Sequence, residues 1–208
     1  GAGVLGVLVE AFVPRAARRV TQIALSLVAL AGALLVAVAL WSDVSDTGGV
    51  KILDGAIVVD GPALVLQGAV ALLGLVALLV IADRTDSGED ALAASAAAVP
   101  GSDAEAEATR RGLVQTEVFP LALFALGGMM LFPATADLLT LFVALEVLSL
   151  PLYLLAGMAR RRRLLSQEAS MKYFLLGAYA SAFLLFGIAL LYGFAGSVKL
   201  VDIAAAIG

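Results

Sequence analysis

Two ionisable residues stand where a charge is expensive. Glu146 lies near the middle of LFVALEVLSLPLYLLAGMARRRR, which runs from Leu141 to Arg163, and Lys172 lies in EASMKYFLLGAYASAFLLFG, which opens at Glu168. A charged side chain at the centre of a bilayer costs roughly 3 kcal/mol or more, so such residues pair, hold a proton or snorkel to the interface. The chemistry open to this carboxylate and this ammonium is proton binding and release, each charge altering the proton affinity of the other. Pro151, five residues past Glu146, has no N–H and leaves the carbonyl of Val147 without its helical partner, a place for water beside the carboxylate. Ser149 and Tyr153 offer hydroxyls to the same path, although a hydroxyl bonded back to its own helix is the simpler fate for Ser149.

The elements that must position these groups follow from composition. The chain has 208 residues, 62% of them hydrophobic and 14% charged, with a mean hydropathy of +1.05. Its charges cluster between long apolar runs, the pattern of helical membrane spans and not of a transmembrane barrel. An all-α, polytopic transmembrane bundle is therefore expected. Cysteine and histidine are both absent. The chain thus supplies no thiolate or imidazole ligand for a haem, an iron–sulfur cluster or a zinc ion, and electron transfer is expected elsewhere. Nothing in the sequence supports nucleic-acid binding.

Six helical segments are predicted in three regions. Residues 1–82 hold the first three: Gly1 to Val13, too short to span and read as the end of a truncated helix; Val20 to Trp41; and a helix from Asp60, an N-cap with Pro62 in its first turn, to Ala82. Residues 83–116 form an acidic, Ala- and Ser-rich loop with the composition of a solvated spacer. Residues 117–208 hold the fourth helix, Glu117 to Phe132; the fifth, Ala136 to Met158; and the sixth, Gln167 to about Phe194, capped by Ser166. Gly127 and Gly128 predict close packing of the fourth helix, and Gly177, Ala180, Ser181 and Gly187 predict a small-residue packing face on the sixth.

Basic residues sort cleanly over these segments. Loops 1–2, 3–4 and 5–6 carry Arg15, Arg18, Arg19, Arg84, Arg110, Arg111 and Arg160 to Arg163, whereas the opposite loops carry Lys51 and Lys199. Positive charge collects on the cytoplasmic side, so loops 1–2, 3–4 and 5–6 are expected there. Lys172 is the one basic residue left inside a helix. Counted from the cytoplasmic helix ends, Glu146 and Lys172 differ in depth by roughly 8 Å, a gap that long side chains nearly close. Two structural alternatives compete with proton carriage: a static ion pair locking the fifth helix to the sixth, and snorkelling, which suits Lys172 better than the shorter Glu146.

LFVALEVLSLPLYLLAG followed by SQEASMKYFLLGAYASAFLLFGIALLYG resembles the paired fifth and sixth helices of the antiporter-like N subunit of respiratory complex I, the proton-pumping NADH-quinone oxidoreductase. The resemblance is strongest from Phe119 to Gly196. It implies that Glu146 occupies the position of the glutamate of a functional Glu–Lys pair and that Lys172 matches the lysine of the sixth helix. It also implies an architecture of about fourteen helices in two inverted repeats, of which six segments stand here. By the same resemblance, FMN, iron–sulfur clusters and quinone belong to other subunits. The implied partners are an M-type antiporter-like subunit, small subunits A, J and K, and the lipid of a bacterial inner membrane. The expected function is part of a proton half-channel, without a redox centre, in a larger translocase. Its rivals are an Mrp-type cation/proton antiporter subunit and a structural membrane scaffold.

Overall fold

The computed structural model describes residues 1–83, 99, 102–111, 115–159 and 163–208. In chain order these form α1 (Ala2–Phe12), α2 (Arg15–Ala39), α3 (Trp41–Thr47), β1 (Val50–Ile52), β2 (Ile57–Val59), α4 (Gly61–Ala82), α5 (Asp103–Arg110), α6 (Val118–Leu131), a 3-10 turn (Phe132–Ala134), α7 (Leu138–Gly157), α8 (Arg163–Ala195) and α9 (Leu200–Ile207). Four helical stretches are long and apolar enough to cross a bilayer: Arg15–Thr47, Gly61–Ala82, Leu138–Gly157 and Leu164–Ala195. Ala2–Phe12 and Val118–Ala134 are shorter apolar helices. The chain is thus the helical membrane bundle that its composition predicts. Residues 84–98, 100, 101 and 112–114 of the acidic segment lie outside the described residues, as do Arg160, Arg161 and Arg162.

Local chemistry sets several helix starts. Asp60 caps α4, its Oδ1 accepting from the Ala63 amide at 2.9 Å. Asp137 caps α7 more firmly, accepting from the Thr140 amide at 2.7 Å and from the Thr140 hydroxyl at 2.6 Å. Each satisfies a donor that the first turn of a helix leaves without a partner. Ser166, by contrast, is not a cap. Helix α8 already begins at Arg163, because Arg163, Leu164 and Leu165 are good helix formers with no breaker among them. The polar segment between the second and third predicted helices is also more ordered than its composition suggests. It folds as α3, ended by Gly48 at φ 76°, and as a hairpin pairing Val50 with Val59 and Ile52 with Ile57. Leu53, Asp54 and Gly55 take positive φ to turn the hairpin.

Helix α6 organises the packing. It lies against α1, α2 and α4 on one side and α7 on the other, and α8 packs on α7 beyond it. Leu30 of α2, Leu78 of α4, and Phe119, Ala122 and Leu123 of α6 form the buried centre of the first group. At one end of the bundle, Arg19 Nη2 donates to the carbonyl of Ala82 at 2.9 Å, tying the start of α2 to the end of α4. At the other end, Lys199 Nζ lies 3.1 Å from Asp54 Oδ2, and the Ala136 amide donates to Ala56 O at 2.8 Å. The hairpin, the turn before α7 and the turn after α8 therefore share one end. The sorting of basic residues requires the same grouping.

Candidate functional site

Glu146 and its surroundings belong to the seam between α7 and α8. The two helices run antiparallel, and their register is fixed by three contacts. Near the end of α7, the Ser170 hydroxyl donates to the carbonyl of Tyr153. One to two turns further along α8, the Tyr153 ring meets Tyr173 edge-on at a centroid distance of 4.5 Å and Phe174 at 5.8 Å, its hydroxyl pressed against Gly177. Deeper still, the Ser181 hydroxyl donates to Glu146 Oε1. Ser170, Phe174, Gly177 and Ser181 recur at intervals of three or four, so one face of α8 serves the whole seam.

The fit at Gly177 leaves no room for a side chain. A Cβ there would fall 1.9 Å from the Tyr153 hydroxyl oxygen and 2.7 Å from Cζ. Gly177→Ala is expected to lower the unfolding midpoint of the detergent-solubilised protein by an amount equivalent to about 1–3 kcal/mol, the usual cost of overpacking. Adding Tyr153→Phe, which removes the nearest atom, should restore part of that loss. If the single and double variants unfold alike, the register described here is wrong. Gly187, expected on the same packing face, meets nothing within 4 Å of its would-be Cβ.

Lys172 does not join this seam. It pairs with Glu168, one turn earlier on its own helix, and both side chains are more than half exposed at 67% and 55%. Among the described residues no ion pair links it to Glu146. The reason is phase and depth together. Lys172 precedes Ser181 by nine residues, two and a half helical turns, which puts it on the opposite face of α8 and about 14 Å away along the axis. The smaller offset expected from sequence assumed that both helices end at the same level. Instead α8 runs about two turns past the end of α7, where Gly157 lies beside Ser170, and this carries Lys172 toward the end of the seam. Glu168, expected in the first turn of its helix, accordingly sits in the second.

Behind Glu146, Gly128 of α6 lies directly against the backbone of α7. A Cβ on Gly128 would lie 2.5 Å from the Leu148 amide nitrogen, 2.8 Å from Leu148 Cα and 2.9 Å from Ala144 O. Gly127, its neighbour, has nothing within 4 Å. The small-residue signal in the fourth predicted helix thus resolves to a single residue. Pro151 is buried within α7, and Ser149 Oγ reaches back to the carbonyl of Glu146 at 3.5 Å, leaving the carboxylate itself to Ser181.

Sequence reasoning missed a second buried polar group. Gln22 of α2, fully buried, donates through Nε2 to Gly6 O at 2.8 Å and to Glu10 Oε1 at 2.7 Å, and Arg18 Nη1 lies 3.3 Å from Glu10 Oε2. Ser26, also fully buried, continues the line. The signal was available in the spacing: Arg18, Gln22 and Ser26 are four residues apart and share one face of α2, turned toward α1. Among the described residues no group of three or more metal-ligating side chains gathers.

Residues 135–207, which contain the whole seam, match the family model described as NADH:quinone oxidoreductase/Mrp antiporter, TM. The NADH-quinone oxidoreductase subunit N of Beutenbergia cavernae is 61% identical over 99% of this chain and 40% of its own length. That of Acidothermus cellulolyticus is 57% identical over 100% of this chain and 39% of its own. Among solved structures, respiratory complex I from Thermus thermophilus with bound aureothin contains a chain similar at a TM-score of 0.69 and 32% identity, covering 96% of this chain and 36% of that one. A chain of an archaeal membrane-bound sulfane sulfur reductase shares the fold alone, at a TM-score of 0.68 and 17% identity over 98% of this chain and 28% of its own. The chain spans about two fifths of the length of these curated relatives. With more than half its residues identical to several curated N subunits along nearly its whole length, the chain is similar to the corresponding two fifths of subunit N of NADH-quinone oxidoreductases.

Proposed function

We propose that this chain contributes part of a proton half-channel to a bacterial NADH-quinone oxidoreductase, coupling quinone reduction to proton movement across the inner membrane. The observation that carries this reading is a half-buried carboxylate, Glu146, in a membrane-length helix of an N-subunit relative, held by a hydroxyl and not by a cation. A fixed ion pair would neutralise the site permanently. A carboxylate with a hydroxyl partner keeps both protonation states open. Glu146 is the proton-carrying group in this proposal. Lys172, on the outer face of α8, is a second charged site from which protons pass toward helices lying beyond the matched part of the relatives.

In the assembled enzyme, NADH, FMN, iron–sulfur clusters and quinone would be handled by other subunits, since the chain has no Cys or His to ligate a cluster. An M-type antiporter-like subunit and the small subunits A, J and K are the proposed neighbours in the membrane. The arginine-bearing loops are assigned to the cytoplasmic face by charge. The test is proton translocation measured together with quinone-reductase turnover in vesicles carrying the complete complex with Glu146→Ala, assembly being verified. Normal pumping at normal turnover would overturn the reading.

The family model names Mrp antiporters as well, which favours a cation/proton antiporter subunit as the second reading. Flavin and iron–sulfur absorbance in the purified assembly separates the two. Its presence supports the oxidoreductase, and its absence supports the antiporter.

A further inference from the structure

The small residues of α8 read as a packing stripe, yet one of them touches the only carboxylate in α7. Ser181 donates to Glu146 Oε1, and among the described residues it is the hydrogen-bond partner of that carboxyl group. Ser149, the nearer hydroxyl in sequence, is directed to the backbone of α7 instead. The seam holds Ser181 in place from its neighbours, with Gly177 closed against Tyr153 one turn away and Ser170 bonded to the Tyr153 carbonyl below it.

We infer that Ser181 is the positioning residue of the Glu146 proton site, holding the carboxyl group against α8 in both of its protonation states. The physical reason lies in the hydroxyl. Lysine and arginine only donate hydrogen bonds, so they satisfy an ionised carboxylate and oppose the neutral acid, whereas a serine hydroxyl both donates and accepts. When Glu146 is ionised, Ser181 donates its O–H to the carboxylate. When Glu146 takes up a proton, the acid O–H donates to the Ser181 oxygen, and the serine proton turns toward another acceptor. No bond to a heavy atom forms or breaks, and the proton that leaves Glu146 is the one that entered. Without the hydroxyl, the carboxyl group loses its fixed direction and both of its protonation states lose this partner inside the bilayer, where an unmet polar group is costly.

This inference rests on the reading of Glu146 as a proton site, and the experiment separates the two. Ser181→Thr and Ser181→Val place nearly the same volume at the seam but differ in the hydroxyl. In vesicles carrying the assembled complex, the Val variant is expected to pump about tenfold more slowly at matched turnover, while the Thr variant stays within about twofold of the parent, a difference of the size expected for one hydrogen bond to a charged group. The pH profile of pumping should move in the Val variant and not in the Thr variant. In infrared difference spectra, the carboxyl band identified by its loss in Glu146→Gln should shift in the same way. A packing role treats Thr and Val alike, and equal behaviour in pumping, pH profile and carboxyl band overturns the inference. Should Ser181→Val not assemble, Ser181→Ala removes the hydroxyl without added bulk and carries the same comparison. A defective Glu146→Gln beside a normal Ser181→Val removes Ser181 alone. A normal Glu146→Gln removes the proton-site reading and Ser181 with it.

Discussion

Gly128→Val is expected to abolish assembly of the subunit, seen as loss of the intact complex on native gels of solubilised membranes. The added atoms have nowhere to go, since the nearest neighbours of a Cβ at this position are the backbone of α7 at Leu148 and Ala144, 2.5 to 2.9 Å away. A side chain in conflict can change rotamer, but a helix backbone can only move as a unit. Separating α6 from α7 would open the interface along its length, and overpacking on this scale costs about 3 kcal/mol or more. Gly127→Val is the internal control, because a Cβ there meets nothing within 4 Å. Equal loss of assembly in both variants would mean that α6 and α7 do not meet as described. The same displacement would carry Glu146 away from Ser181, so any Gly128→Ala complex that survives should also pump poorly.

Glu146→Gln is expected to leave assembly intact and to slow proton translocation about a hundredfold or more, the range that removal of a positioned proton-transfer group produces. Glutamine keeps the length and the oxygen that accepts from Ser181, so the packing of α7 on α8 is preserved, but it cannot take up or release a proton. Pumping unchanged at unchanged turnover would assign Glu146 a structural role. The geometry adds a second expectation to the same experiment. Glu146 bonds to Ser181 and Lys172 bonds to Glu168 on the other face of α8. In a double-mutant cycle with Lys172→Gln, stability effects should therefore add to within about 0.5 kcal/mol. Coupling well beyond that would restore the static ion pair. Coupling in pumping without coupling in stability would support two separate charges on one proton route.

Much of this architecture is legible in the sequence because hydropathy and end chemistry act locally. A run of twenty apolar residues can leave water only as a helix with its backbone bonds closed within the segment, so α2, α4, α7 and α8 follow from composition alone. The cap Asp60 acts within three residues of itself. The two intramembrane charges were equally legible, because Glu146 and Lys172 interrupt apolar runs while the other basic residues lie outside those runs. Sequence thus determined that this is a helical membrane protein, how its loops group by end, and which residues are anomalous enough to be candidates.

What it could not determine is who meets whom. Pairing Glu146 with Lys172 required the level at which α8 begins relative to the end of α7 and the face that α8 turns inward. Those two quantities arise from contacts thirteen or more residues apart: Ser170 with Gly157 and Tyr153, and Tyr153 with Gly177. A shift of two turns and a rotation of half a turn leave every local preference of α8 unchanged, yet they exchange a lysine for a serine as the partner on that helix. The Glu10, Gln22 and Arg18 group left only its spacing on α2 in the sequence, since its residues belong to two helices and its meaning lies in their contact. Local chemistry made the helices and marked the charges, and only packing decided that the carboxylate faces a hydroxyl.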